Sequence, residues 1–219
     1  MTDLTRPTVR IEHLAQPALG IDVDRPRLSW TTGGAPTGYV QHEAEVSWEI
    51  TSPDGRVVDT GSAVVETADQ VLVGWPCPPL APRERAVVRV RTRGREGAWS
   101  TWSSPVVAER GLSLGEWRAT LVGPGYEEGA GLERRGPLLR KDFTVPGQAT
   151  GVRAARLYLT AHGLVEVEIN GTRVGADELT PGWTPYGDRL RVMTYDVTDL
   201  VVGGTNTIGA WLADGWFRE

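Results

Sequence analysis

A strict two-residue alternation followed at once by Asn-Gly constrains this chain more than any other feature. Val165, Val167 and Ile169 alternate with Glu166, Glu168 and Asn170, and Gly171 comes next. A period of two puts the aliphatic set on one face of a strand and the acids on the other, so the strand is half buried. Asn-Gly is the strongest short-range hairpin signal, because a type I′ turn needs positive φ at both central residues. Leu157, Leu159 and Ala161 alternate before this hairpin, and Ile208, Ala210 and Leu212 alternate after it. At least three strands of one sheet are therefore expected to share an apolar face.

The remainder of the chain supports the same class. There are 27 Gly and 15 Pro among 219 residues and no sustained helical periodicity, which favours an all-β fold with turns at short intervals. A chain of this length suits two domains of about 100 residues each, and two tandem β-sandwiches are expected.

Residues 1–112 read as the first sandwich, immunoglobulin-like or fibronectin type III-like, with seven or so short strands. Ala44, Val46, Trp48 and Ile50 share one face against Glu43, Glu45, Ser47 and Glu49, Pro53-Asp-Gly55 is a turn, and Val71-Leu-Val73 reads as a further strand. Val88 and Val90 point to the core, which leaves Arg89, Arg91 and Arg93 outside, and Trp99-Ser-Thr-Trp-Ser103 reads as the facing strand. Trp99 and Trp102 are expected to interleave with the three arginines in a ladder, each guanidinium over an indole worth ~0.5–1 kcal/mol. This is a structural brace or, alternatively, a protein-interaction surface.

Residues 113–136 form a connection. Glycines flank Leu112, Leu114 and Trp117, which suggests a segment pinned at Trp117, and the patternless residues 123–131 form a loop. The second sandwich, residues 137–219, opens with Pro137-Leu-Leu-Arg-Lys-Asp-Phe-Thr-Val145 and continues to Thr207-Ile-Gly-Ala-Trp-Leu-Ala-Asp-Gly-Trp-Phe217.

The net charge of −5 and the lack of a Lys/Arg cluster argue against a nucleic-acid partner. No run of about 18 apolar residues suggests a membrane span. Cys77 has no partner for an internal disulfide, and together with a first segment that lacks an apolar core this reads as cytoplasmic. His13, His42 and His162 are isolated, so no metal site and no cofactor is expected. No nucleophile elbow or phosphate loop occurs, and the acids alternate on exposed strand faces; no catalytic residue is assigned.

Five motifs in register carry a family resemblance: Arg156-Leu-Tyr-Leu-Thr, Val167-Glu-Ile-Asn-Gly-Thr-Arg-Val-Gly175, Leu179-Thr-Pro-Gly-Trp-Thr-Pro-Tyr186, Thr194-Tyr-Asp-Val-Thr-Asp-Leu200 and Asp214-Gly-Trp216. In order and spacing they resemble the N-terminal β-domain of bacterial α-L-rhamnosidases. The first half resembles the fibronectin-like first domain of the same enzymes, although Arg85-Ala-Val-Val88 stands where an aromatic pair is usual. The resemblance implies a jelly-roll-like second domain that is incomplete here. It also implies a parent glycosidase that hydrolyses terminal α-L-rhamnosides with inversion, its catalytic carboxylates lying in a helical barrel downstream. The present chain would then be a non-catalytic accessory region whose partner is that barrel. A sandwich lacking strands exposes an unpaired edge and an uncovered apolar face, so self-association through residues 200–217, or residual disorder there, is expected.

An autonomous carbohydrate-binding module is the alternative. Exposed indoles stack on sugar rings while Asn and Asp take hydroxyls, and Trp183, Trp216, Asp214 and Asn170 are the candidates. Each also has a structural reading: Trp183 and Trp216 as core or interface anchors, Asn170 and Asp214 as turn residues.

Overall fold

A computed structural model of the chain describes residues 6–35, 37–125, 135–146 and 152–217. It is all-β, with two compact units, Met1–Trp117 and Arg118–Glu219.

Among its described residues the first unit contains seven strands: β1 (Thr8–Ile11), β2 (Ala18–Ile21), β3 (Leu28–Thr31), β4 (Gln41–Thr51), β5 (Val57–Glu66), β6 (Arg85–Gly94) and β7 (Val106–Arg110). They make a sandwich of a two-stranded β1-β3 sheet and a five-stranded sheet ordered β2-β7-β6-β4-β5. The apolar sets of alternating strands meet between the layers. Val9, Ile11, Leu28 and Trp30 from one side join Ala44, Val46, Ile50, Val88 and Val90 from the other. Trp48 is only partly buried; its indole lies over Gly61 and donates to Asp59 Oδ1 at 2.6 Å. The buried Gln41 accepts from the Trp30 indole at 2.8 Å and donates to the carbonyls of Thr67 and Asp69 at 2.9 and 3.2 Å.

Two expectations are corrected in this unit. Val71-Leu-Val73 is no strand: it touches β3 through a single bridge between Leu28 and Val73, and Ser29 Oγ accepts the Leu72 N–H at 2.9 Å. Trp99-Ser-Thr-Trp-Ser103 is no strand either, because its serines hold it to β6 in a different way. The N–H groups of Ser100 and Ser103 donate to the carbonyls of Thr92 and Val90, both at 2.8 Å. The two serine hydroxyls in turn accept the N–H groups of Thr92 and Val90, both at 3.0 Å. Side chains thus replace half of a ladder. Residues Leu114–Glu116 form a short 3-10 turn fastened within this unit, where the Glu116 carboxylate accepts from Ser113 N and Oγ, both at 2.9 Å, and pairs with Arg83 at 3.1 Å.

The second unit contains β8 (Leu138–Val145), β9 (Arg156–Leu159), β10 (Leu164–Ile169), β11 (Thr172–Arg173), β12 (Met193–Asp196) and β13 (Gly204–Ala213). One sheet runs β11-β10-β13-β8 and a two-stranded sheet pairs β12 with β9. Asn170 and Gly171 have φ of 53° and 79°, as the Asn-Gly turn requires, with Ile169 opposite Thr172. Val165, Val167 and Ile169 form the core with Ile208, Ala210 and Leu212. Leu157 and Leu159 join that core from β9 in the other sheet. The three alternating runs thus share one core but not one sheet.

β13 lies between β10 and β8. Among the described residues β13 is therefore not the open edge expected within residues 200–217; the edge strands of that sheet are β11 and β8. Of the expected loop at residues 123–131, all but 123–125 lies outside the described residues.

Candidate functional site

Register decides what the outer face of the first sheet presents. Glu43 and Glu45 on β4 stand opposite Arg93 and Arg91 on β6, while Arg89 stands opposite Ser47. The two acids pair with their arginines, and the Glu43 carboxyl is held below the usual carboxylate range chiefly by the hydrogen bond from Arg93. Arg91 lies between Trp99 and Trp102, 5.1 and 4.6 Å from the ring centroids, and Arg93 lies 4.5 Å from Trp99. The column therefore brings together Arg91, Arg93, Trp99 and Trp102, and leaves Arg89 exposed without a stacking contact among the described residues. Arg91→Ala is expected to lower the stability of the first unit by about 1–2 kcal/mol, the sum of two cation–π contacts. Arg91→Lys should recover less than half, since an ammonium lacks the stacking plane. Thermal unfolding checks this, with Arg89→Ala as the near-neutral control.

In the second unit both tryptophans among the four sugar-binding candidates are open to solvent. Trp183 is 66% exposed on a loop and Trp216 is 51% exposed, and no ring contact joins them among the described residues. Asp214 opens a turn in which its carbonyl accepts the Phe217 N–H at 3.0 Å and Gly215 has φ of 52°. Phe217 stacks on His162 with centroids 4.3 Å apart, and Tyr186 meets both edge-on. Asn170 is committed to the fold. Its Nδ2 donates to the Leu200 carbonyl at 2.9 Å and Asn206 Oδ1 at 2.8 Å, and its Oδ1 accepts the Thr207 N–H at 2.9 Å.

A cleft of 420 Å³ opens elsewhere, at the end of β10 and β13, lined by Leu164, Glu166, Glu178, Leu179, Thr180 and Trp211 among others. One wall is the loop after β11, and the sheet itself anchors it. Val165 N–H donates to the Thr180 carbonyl at 2.8 Å, and Thr180 Oγ1 donates to the Val165 carbonyl at 2.7 Å. Arg173 reaches Glu178 at 3.1 Å, the Asp177 carbonyl at 3.0 Å and Glu166 at 3.3 Å. Tyr195 packs against Gly175, and burial, aided by the Asp177 carboxylate, pushes its phenol up to about 12. Leu179, at φ of 54°, is thrown outward and is 59% exposed. The opposite wall is Trp211, also 59% exposed, directly across from Glu166 on β10 and Leu138 on β8. The outward position of Trp211 follows from the alternation of Ile208, Ala210 and Leu212. The backbone conformation of Leu179 has no such signal.

No group of three or more His, Cys, Asp or Glu side chains suited to a metal occurs among the described residues. The single thiol, Cys77, is buried and pushed up to about 12 by desolvation.

Comparison with known proteins brings the two halves together. Residues 7–113 match the family model described as Rha78A-like, N-terminal immunoglobulin domain, and residues 150–219 match Alpha-L-rhamnosidase N-terminal domain. An alpha-L-rhamnosidase of Formosa agariphila is 31% identical over 208 residues, covering 83% of this chain and 22% of its own. The crystal structure of an alpha-L-rhamnosidase from Aspergillus terreus superposes with a TM-score of 0.84 at 35% identity, over 99% of this chain and 24% of that one. The corresponding enzyme of Dictyoglomus thermophilum gives 0.77 at 27% identity, over 99% and 26%. The chain thus spans about a quarter of the length of the relatives it matches.

Proposed function

The chain belongs to the α-L-rhamnosidase family as its N-terminal pair of β-domains, and from that premise we propose that it is a non-catalytic accessory region. The parent enzyme hydrolyses terminal α-L-rhamnosides with inversion, and the partner of this region is the helical catalytic barrel further along the same chain. The observation that carries the reading is the superposition of 99% of the chain on only 24% of a rhamnosidase.

The carboxylates support it. An inverting glycosidase needs a protonated acid with a raised pKa facing a base across about 6.5–9.5 Å. The shifted carboxyl groups among the described residues, Glu12, Glu43, Asp54, Glu116 and Asp142, all move down, each held chiefly by hydrogen bonds to its charged form. None is poised to donate a proton at neutral pH.

A longer product of the same reading frame tests the proposal. Full-length enzyme is expected to release β-L-rhamnose from an aryl α-L-rhamnoside, seen by NMR before mutarotation. Deletion of residues 1–219 is expected to lower its melting temperature while leaving that stereochemistry unchanged. Loss of hydrolysis on mutating a carboxylate within residues 6–217, with the fold intact, would contradict the accessory role.

A further inference from the structure

We infer that the cleft between Trp211 and Leu179 binds a neutral pyranose ring. Trp211 stands on a strand paired on both sides, so its indole is presented on a rigid floor and not on a loop. At 59% exposure it leaves most of its surface uncovered, and Leu138 beside it is 69% exposed. An indole on a fixed sheet face is a platform for the apolar face of a sugar ring.

The polar groups beside it define the ligand further. Glu166 and Trp211 are directly opposed across β10 and β13, which places their Cβ atoms about 5 Å apart. Arg173 draws Glu166 and Glu178 together through one oxygen of each, Oε1, at 3.3 and 3.1 Å. The Oε2 atoms carry no hydrogen bond among the described residues. Two acceptors are thus held beside the indole in a network whose charge is half neutralised, and both suit the hydroxyl groups of an uncharged ring. An anionic ligand meets two carboxylates and is repelled. The volume of 420 Å³ falls in the range of small-ligand sites. Trp183, Trp216, Asp214 and Asn170 do not line this cleft, and the site depends on none of them. It also stands independently of the accessory role.

The test is an NMR titration of the 219-residue chain, following indole N–H signals, with methyl α-L-rhamnopyranoside, methyl α-D-glucopyranoside and methyl β-D-galactopyranoside. Arginine amide is the cationic probe. Trp211→Phe identifies the Trp211 signal while keeping an aromatic platform. At least one pyranoside is expected to shift that signal saturably, with a dissociation constant in the millimolar range. Trp211→Ala should weaken binding about tenfold or more, as loss of an aromatic contact implies. Glu166→Gln, which removes one carboxylate while Arg173 keeps Glu178 and the Asp177 carbonyl, should weaken it by a smaller factor, and Trp183→Ala should leave it unchanged. Retained dispersion of the other signals confirms folding. The proposal is overturned if no pyranoside moves the Trp211 signal at tens of millimolar. It is equally overturned if binding survives Trp211→Ala, or if arginine amide alone saturates the site.

Discussion

Asn206→Leu is expected to cost the second unit about 3–4 kcal/mol, because it leaves four part-buried polar groups without their partner at once. Asn206 is 1% exposed and its amide is used from both ends. Nδ2 donates to the carbonyls of Val202 and Gly204 at 2.7 and 3.1 Å, and Oδ1 accepts from Val202 N–H and Asn170 Nδ2, both at 2.8 Å. Leucine has the same branched skeleton but makes none of these bonds and is bulkier, and each group left unpaired away from water costs about 1–3 kcal/mol. Asn206→Asp should be nearly as harmful, since a carboxylate would face two carbonyls that need a donor. Asn170→Ala, at a more exposed position, should cost less. Native-state hydrogen exchange separates the two units: protection should fall in β10 and β13 for the Asn206 variants and stay unchanged in β4 and β6.

Gly163→Ala should destabilise the same unit by about 3 kcal/mol, through two effects that a second variant separates. Gly163 has φ of 81°, a conformation that costs an L-residue about 1–2 kcal/mol. An added Cβ would also overlap the carbonyl oxygens of Ala213 and Asp214, which are backbone atoms and cannot swing aside. Gly171 has nearly the same φ, 79°, yet nothing lies within 4 Å of a Cβ added there. Gly171→Ala should therefore show the conformational cost alone, about 1–2 kcal/mol. Equal melting temperatures for the two variants would refute the clash.

The faces of the strands were legible in the sequence; their partners were not. Alternation at Val165 to Ile169 and at Ile208 to Leu212 reports which side chains go inward, and both runs do meet in one core. It says nothing about which strand lies next door. Leu157 and Leu159 carry the same pattern but belong to the opposite sheet, because the four residues 160–163, ending at Gly163, carry the chain across the core instead of folding it back into a hairpin. The Trp-Ser-Thr-Trp-Ser segment misled for a different reason: its serine hydroxyls supply acceptors that a strand would supply from its backbone. At the candidate site, the sequence points to Trp211 as outward, yet the wall facing it depends on Leu179 adopting a positive φ and on Thr180 clamping to Val165. Neither is encoded by a Gly or an Asn at position 179. Asn170 illustrates the converse, an exposed polar residue in a sequence motif whose side chain ties the turn to Leu200, Asn206 and Thr207.

The central claim is that these 219 residues scaffold a rhamnosidase without cleaving its substrate. The direct measurement is release of p-nitrophenol from p-nitrophenyl α-L-rhamnopyranoside by the purified chain, folded as judged by hydrogen exchange. The expected result is a rate indistinguishable from buffer across pH 4 to 8, the window in which carboxylates and histidines titrate. Saturable release that disappears on replacing any one of its carboxylates would contradict the claim.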